Sequence, residues 1–306
     1  MFDIVSVGHL SIDSIFLPER NKPFIVLGGS PTYVSFAARR LDARTAVVSK
    51  VGGDFPNAYL WWLRQECVDV SAVARVESAQ TTSFELKYIN DLSDRFLRLK
   101  NRAPPITVED LPNSLRAKAI HIAPIAGEIT YEVAEKLKSC ADVLSLDPQG
   151  LLRIFDENGN VTLGSLKDKR TLELVSIYKS SSVEIEALTN ESDLKSSIKA
   201  IHDYGVKTII VTLGMKGALL SVEGNMYNIP AYKSEKIVDP TGAGDAFMGG
   251  FLAEYINDAN YPRCACVGSA VASVVVEALG PTFSCDKEEI YQRARTLYEK
   301  EIKEQW

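Results

Sequence analysis

Short apolar runs alternate with helical patterns along most of the chain. Phe2 to Val7 has the pattern of a buried strand, and further strand patterns lie at 45–51, 118–123, 142–147, 175–182 and 207–213. Helical patterns, in which apolar residues recur every three to four positions, lie between them at 30–41, 57–66, 128–139 and 193–204. Strands and helices in this order form a parallel sheet flanked by helices. The pattern therefore predicts an α/β fold.

Two segments do not fit that alternation. Polar and apolar residues alternate at 82–89 and again at 95–100, and residues 90–94 between them are turn formers, which predicts a hairpin with one solvated face. Together with residues 14–27 it would form a small antiparallel sheet that closes over a substrate and excludes water. Its apolar face has to be covered, and the lid of a partner subunit would do so. A homodimer through the lid is therefore an expectation.

Composition excludes several classes of protein. The chain has 306 residues, 46% of them hydrophobic, and a net charge of −6, which argues against nucleic-acid binding because such binding needs basic surface. Asp3 interrupts any apolar leader. The most apolar run, 264–279, contains Glu277 and is shorter than the roughly 20 residues of a membrane span, so we expect a buried helix and no membrane contact. The five scattered cysteines predict reduced thiols and a cytoplasmic location.

The stretch with the clearest chemistry is 238–247. Gly242 and Gly244 allow a tight turn that exposes successive N–H groups at a helix start, where they form a cradle for an anion. Asp245 follows directly. Its carboxylate could act as a general base toward a molecule in the cradle, or it could simply cap the helix. Because a cap needs no preceding glycines, the glycine pair favours the base.

Asp239-Pro-Thr-Gly-Ala-Gly-Asp245 resembles the D-T-x-G-A-G-D signature of the ribokinase-like carbohydrate kinases, the PfkB family. The resemblance implies an ATP-dependent kinase in which Gly242, Ala243 and Gly244 bind the transferring phosphate and Asp245 deprotonates the acceptor hydroxyl. It also implies one ribokinase-like domain over residues 1–306, a three-layer sandwich with a mostly parallel central sheet and a small antiparallel β lid. Pro240 replaces a family Thr beside a monovalent-cation site, which puts cation activation in question.

The acceptor side is expected near the first strand. Asp13 lies just beyond that strand and could accept hydrogen bonds from two substrate hydroxyls, or be a solvated turn residue. Gly28 and Gly29 precede a helix, where family members contact substrate, and Tyr33 replaces the usual family Asn. Arg102, just past the hairpin, is a further candidate substrate ligand, although most such charges are only solvated.

The donor side is expected near residues 212–217. Thr212, Gly214 and Gly217 resemble the T-L-G-x-x-G turn that lies along ATP in the family, although a plain glycine hairpin would have the same pattern. By the same resemblance Gly280 borders adenine, and Glu184 matches the acid that orders Mg²⁺ through water, which suits a carboxylate with retained waters. Asp147-Pro-Gln-Gly150, together with Arg153, resembles the D-P-N-x-R element that lies near the phosphates in the family, with Gln149 in place of Asn and the Arg shifted.

Other functions stay in competition with this one. The chain lacks a P-loop. Phe247 occupies the position at which a dinucleotide-binding fingerprint has Gly or Ala, which argues against a hydride-transfer enzyme. A noncatalytic sugar or nucleotide sensor should have lost Asp245 or a cradle glycine. Several stretches of the chain resemble archaeal myo-inositol kinases, namely 8–10, Tyr33, 84–88, 97–99, 102–103 and 149–150. Myo-inositol is therefore the favoured acceptor, and a nucleoside, ribose or a keto-sugar are its rivals.

Overall fold

The structure is a computed structural model that describes all residues except 19, 90, 91, 93, 258, 259 and 300–306. Nine strands form the main sheet in the order β15-β14-β13-β12-β9-β8-β1-β4-β5. Seven of them are parallel, and β14 and β15 close one edge in antiparallel fashion. The nine strands are β1 Phe2–Val7, β4 Thr45–Gly52, β5 Val68–Val76, β8 Ala117–Ile122, β9 Ala141–Leu146, β12 Ile177–Ser181, β13 Thr208–Thr212, β14 Ala218–Val222 and β15 Asn225–Ile229.

Helices cover both faces of this sheet. Successive strand residues point to opposite faces, so Ile4 and Val5 of β1 belong to two separate cores. The first core packs against α1 Ser30–Arg39, α2 Asn57–Gln65, α8 Ala243–Tyr255, α9 Tyr261–Val275 and α10 Lys287–Leu297. The second packs against α3 Tyr131–Lys138, α4 Gln149–Leu152, α5 Arg170–Leu174, α6 Ser182–Thr189 and α7 Leu194–His202. The predicted α/β sandwich of three layers is confirmed.

A second sheet forms the lid. Its order is β3-β2-β6-β7, built from β2 Ser11–Phe16, β3 Phe24–Gly28, β6 Ser83–Ile89 and β7 Asp94–Asn101. The β2–β3 and β6–β7 hairpins are antiparallel, as expected, whereas β2 and β6 pair in parallel and join the two hairpins. Most of the turn predicted at residues 90–94 lies outside the described residues. The lid therefore has the predicted position, with one parallel pairing at its centre.

The edge strand of the lid rests on a hairpin that the sequence pattern does not reveal. β10 Arg153–Phe155 and β11 Val161–Leu163 pair in antiparallel fashion. In the turn between them, Gly159 has a φ of +80° and its carbonyl accepts a 2.8 Å hydrogen bond from the Leu99 N–H. A Cβ at Gly159 would lie 2.1 Å from the Leu99 carbonyl oxygen, so only glycine allows this contact. The hairpin therefore ties the lid to the main body.

Helix α8 carries the signature to the carboxyl edge of the main sheet. It packs closely on α1 because Gly249 has no side chain, and a Cβ there would lie 2.4 Å from the Val34 carbonyl oxygen. Both helices start at the same edge, after Gly242 and Gly29 respectively. Among the described residues, no helix combines the length and apolar character that crossing a bilayer would need.

Candidate active site

A cleft of about 430 Å³ lies between the lid and the carboxyl edge of the main sheet. Among the residues that line it are Asp13, Tyr33, Gln149 and Asp245. The cleft thus brings together residues from β2, α1, α4 and α8, and it unites the predicted acceptor residues with the signature.

Asp245 lies in the first turn of α8 and faces the cleft. Burial raises its pKa, and the charge of Lys179 opposes the rise. A carboxylate at this position also gains from the positive end of the helix dipole. The side chain is therefore placed to accept a proton from a group held in the cleft.

Gln149 holds Asp245 from the opposite side. Its Nε2 lies 3.2 Å from Asp245 Oδ1 and 2.9 Å from Ser30 Oγ. Arg153 donates to Gln149 Oε1 at 2.6 Å and to the Ile125 carbonyl at 2.8 Å. Because a guanidinium can only donate, it fixes the amide of Gln149 with its NH₂ toward Asp245. The carboxylate is therefore oriented by a relay that begins at Arg153.

A buried ion pair lies under the anion cradle. Lys179 of β12 and Asp147, just after β9, are joined at 2.6 Å, and their side chains are 7% and 1% exposed. Burial alone would lower the pKa of Lys179, but the surrounding carboxylates, Asp147 foremost, together outweigh it and the pKa is raised. A Cβ on Gly244 would lie 2.8 Å from Lys179 Nζ. The ammonium group therefore lies beside the predicted phosphate-binding backbone.

The loop before α8 is held by Asp239. Its Oδ1 accepts from the Thr241 N–H at 2.9 Å and from the Thr241 hydroxyl at 2.6 Å, and its Oδ2 accepts from the Gly280 N–H at 2.9 Å. Gly242 then adopts the left-handed conformation, with φ +76°. Thr241 is thus fixed in position. The N–H groups in the first turn of α8 have no carbonyl acceptor within the helix, because that acceptor would lie four residues earlier. Ala243 reaches back to the Pro240 carbonyl only at 3.3 Å.

The predicted acceptor residues lie on the lid side of the cleft. Asp13 and Tyr33 are 6% and 2% exposed. Within the described part of the chain, neither Asp13 Oδ1 nor the Tyr33 hydroxyl has a hydrogen-bond partner. Burial raises the pKa of Asp13 to about 6, against the positive charges of Arg153 and Arg95. Gly28 leaves room for the Asp13 carboxylate, since a Cβ there would lie 2.0 Å from Oδ2.

Two predicted site residues lie elsewhere than expected. Arg102 is exposed, with its guanidinium 4.7 Å from the centre of the Phe155 ring, and it does not line the cleft. Arg95 and Arg153 line it instead. Gly280 bonds Asp239 and lies against Val26 of the lid, where an added Cβ would be 3.2 Å from the valine Cβ. It is thus on the lid side of the signature loop.

The predicted donor residues form an open turn at the end of β13. Thr212 ends the strand, and Gly214 and Gly217 have φ angles of +60° and +91° around a short 3₁₀ turn. Glu184 lies in the first turn of α6, where its Oε2 accepts from the Ser181 N–H at 2.8 Å and the Ser181 hydroxyl at 2.7 Å. The described residues contain no group of three or more metal-binding side chains. A divalent ion here would therefore take most of its ligands from donor oxygens and water.

Comparison with known proteins decides the family. The family model for pfkB family carbohydrate kinases matches residues 1–288. The chain belongs to this PfkB family. It is 30% identical to the cytidine kinase of Thermococcus kodakarensis over 92% of this chain and 98% of that protein. It is also 30% identical to an inositol 3-kinase of Arabidopsis thaliana, over 83% of this chain and 68% of that protein.

A solved structure agrees with this assignment. A pyrophosphate-dependent kinase of the ribokinase family, complexed with a pyrophosphate analogue and myo-inositol, has a TM-score of 0.80 and 26% identity, and covers 94% of this chain and 99% of its own. The protein is thus a ribokinase-family kinase, a phosphotransferase with a hydroxyl group as acceptor. The kinase class expected from the signature is confirmed.

The structure adds site residues that the sequence reading of this PfkB kinase missed. Lys179 is the main one. A lysine inside a central parallel strand was the available signal, because lysine is almost never buried unless it is paired. Arg95 lies in the alternating stretch 95–100, where its charge could not be told from the solvated charges around it. The position of Thr241 beside the lid could not be read from spacing, because the contact joins segments far apart in the chain.

Proposed function

We propose that this kinase transfers the γ-phosphoryl group of ATP to a hydroxyl of a carbohydrate or polyol, with myo-inositol as the favoured acceptor. One observation supports it above the others. Asp13 Oδ1 and the Tyr33 hydroxyl are buried, without partners among the described residues, and line the same cleft as Asp245. Leaving buried polar groups unpaired costs about 1–3 kcal/mol each. A compact acceptor with many hydroxyls would satisfy both.

In the proposed mechanism Asp245 removes the proton of the acceptor hydroxyl as that oxygen attacks the terminal phosphorus of ATP. The bond from that phosphorus to the bridging oxygen breaks, and ADP leaves. Gln149 keeps the carboxylate aimed at the cleft. The N–H groups of Ala243 and Gly244, together with Lys179, stabilise negative charge on the transferring group. Asp147 keeps Lys179 charged at its buried position. The lid excludes water, which would otherwise compete with the acceptor hydroxyl.

Mg²⁺ and the donor are proposed to bind on the far side of the cradle. Bound Mg²⁺ would neutralise charge on the donor phosphates. Glu184 would meet a magnesium-bound water with Oε1, because both of its described hydrogen bonds use Oε2. Thr212, Gly214 and Gly217 would lie along the nucleotide. Gly280 bonds the Asp239 carboxylate, so its proposed contact with adenine is the weakest part of the donor site.

A nucleoside is the second candidate acceptor. The cytidine kinase relative spans nearly the full length of both chains, and Phe84 and Tyr33 supply aromatic rings at the cleft. Both rings face a cleft that also carries the guanidinium groups of Arg95 and Arg153. A nucleoside would stack its base there and present the ribose hydroxyl to Asp245. Ribose and keto-sugars would use the same carboxylates without stacking.

The proposal is tested by a phosphotransfer screen. Myo-inositol, ribose, fructose and nucleosides are each combined with ATP or with pyrophosphate, in Mg²⁺. Turnover of a polyol or sugar with ATP supports the proposal, nucleoside turnover supports the second candidate, and turnover only with pyrophosphate overturns the donor. Asp245→Asn should lower kcat by about 10²–10⁴-fold while retaining acceptor binding. Asp142→Asn, an exposed aspartate on β9, is the matched control. Binding without any transfer would indicate a sensor.

We also propose that the outer face of the lid pairs two copies of the chain. Ile25, Ile89 and Phe96 lie on that face and are 56%, 47% and 43% exposed. Sedimentation should show a dimer that Ile25→Lys converts to a monomer, and a monomeric wild type would overturn the pairing. A reducing, cytoplasmic location is likewise proposed, from the five scattered cysteines of the sequence.

A further inference from the structure

The lid touches the signature loop at one point and, at a second point, a residue that is hydrogen-bonded to that loop. The hydroxyl of Tyr88, in lid strand β6, lies 2.8 Å from Thr241 Oγ1. Val26, in lid strand β3, packs against Gly280. Tyr88 and Thr241 are 4% and 6% exposed, so their hydrogen bond is shielded from water. Both contacts end on residues that Asp239 binds.

The direction of this hydrogen-bond chain follows from its end. The Asp239 carboxylate can only accept, so the Thr241 hydroxyl donates its single proton to Oδ1 at 2.6 Å. The Tyr88 hydroxyl therefore donates to Thr241 Oγ1. A chain with all its donors used in one direction holds its members in a single arrangement. The lid thus contributes the first donor of the chain that fixes Thr241.

Thr241 directly precedes the anion cradle. A rotation of its peptide would turn the N–H of Gly242 and tilt the start of α8. Displacement of a catalytic group by about 1 Å can lower a rate by about 10²-fold. When the lid lifts, Thr241 loses the Tyr88 hydrogen bond, and the cradle loses one of its restraints.

We propose that Tyr88 is a positioning residue that couples closure of the lid to the alignment of the anion cradle. The inference rests on the proposed function, because the cradle is taken to bind the transferring phosphoryl group. With the lid closed, Tyr88 aligns the cradle for transfer to the acceptor. With the lid open, the cradle is relaxed and the donor is protected from hydrolysis by water.

A purely structural role for Tyr88 predicts that Tyr88→Phe keeps the kcat of the wild type. Its ring packs in the lid core with Ile15, Phe84 and Leu86, and Tyr88→Phe keeps that ring. The proposal requires Tyr88→Phe to lower kcat about tenfold, to change the KM for the acceptor less than about threefold, and to leave hydrolysis of the donor in the absence of acceptor no faster than in wild type. A tenfold change in rate corresponds to about 1.4 kcal/mol. Tyr131→Phe, which removes a hydroxyl bonded to Glu135 on the surface of α3, is the control.

A second pair of variants keeps the test independent of the folding of Tyr88→Phe. Thr241→Ser retains the hydroxyl and should stay close to wild type. Thr241→Val removes the hydrogen bonds to both Tyr88 and Asp239, so it should lower kcat at least as much as Tyr88→Phe does. Adding Tyr88→Phe to Thr241→Val should cause no further loss, because the Tyr88 hydrogen bond is already broken. Wild-type kcat in Tyr88→Phe, a change in KM alone, or additive losses would each overturn the proposal. An inactive wild type would instead overturn the proposed function, so the two failures are distinct.

Discussion

The aromatic ring of Tyr33 lies directly against the backbone of Gly242. A Cβ atom on Gly242 would be 2.2 Å from Cδ1 of that ring, so the residue that departs from the family pattern on the acceptor side forms one wall of the proposed phosphate cradle. The proposed acceptor and phosphate sites therefore share a surface, and changes on one side would act on the other.

Gly242→Ala should inactivate the enzyme. The φ of +76° strains any other residue by about 1–2 kcal/mol, and the added methyl group also collides with Tyr33. We expect a loss of kcat greater than about 100-fold. Gly224→Ala is the matched control, since Gly224 has a φ of +91° and open space around it. It carries the strain without the collision. Equal activity losses in the two variants would contradict a role for the Tyr33 contact.

Gln149→Glu should shift the acid limb of the rate profile upward. The new carboxylate replaces a donor to Asp245 with a negative charge, which raises further a pKa that burial already raises. Because the base acts only when ionised, activity at acidic pH falls first. The measurement is kcat/KM against pH. Gln65→Glu adds the same charge at an exposed position and should leave the profile unchanged. An unshifted profile for Gln149→Glu would remove Gln149 from the orientation of the base.

Lys179→Met should lower both stability and activity. It leaves Asp147 as an unpaired buried charge, which costs about 3–5 kcal/mol. Adding Asp147→Asn should restore much of the free energy of unfolding but not kcat, because the cation beside Gly244 stays absent. Chemical denaturation and turnover measure the two effects separately. Lys287→Met, which breaks an exposed pair with Asp42, should cost less than about 1 kcal/mol. Full activity in the double variant would remove Lys179 from the transfer step.

Asp13 should make the stability of the free enzyme depend on pH. Its folded pKa is about 6, against an ordinary value of 3.8. The protonated group therefore contributes its stabilisation fully below pH about 4, and that stabilisation is lost as the pH rises through about 6, a change of about 2–3 kcal/mol. Asp13→Asn should abolish this fall.

The same group governs acceptor binding. Hydroxyls donate best to the ionised carboxylate, so the KM for the acceptor should decrease between pH about 5 and 7. The pH dependence of stability is checked by denaturation midpoints of wild type, Asp13→Asn and the exposed control Asp142→Asn, taken across this range. The KM for the acceptor is measured over the same pH values. Parallel pH curves for wild type and Asp13→Asn would show that Asp13 does not titrate as proposed.

The sequence predicted those features that depend on local pattern. Alternating strands and helices predicted the parallel sheet flanked by helices, and the glycine spacing placed Asp245 in the first turn of α8. The lid hairpin followed from the period of two at 82–89 and 95–100. Each of these is a property of ten or so consecutive residues, which is the range over which periodicity and turn chemistry act.

Features that join distant segments could not be predicted in the same way. The β10–β11 hairpin has strands of three residues, too short to show an alternation. The pairing of Lys179 with Asp147 depends on the neighbouring positions of β12 and β9 in the sheet. Arg95 reaches the cleft because it pairs with Tyr88 across the lid, a register that the sequence does not state.

The contact of Gly249 with Val34 sets the distance between the proposed acceptor site and the proposed phosphate cradle. Helix α1 starts at the acceptor glycines and helix α8 starts at the cradle, and they meet without an intervening side chain. The separation of acceptor and base is therefore determined in the hydrophobic interior, where neither substrate reaches. Under the proposed function, substitutions in the lid would alter the contacts with the acceptor and leave that separation intact, so a single reaction geometry would serve different acceptors.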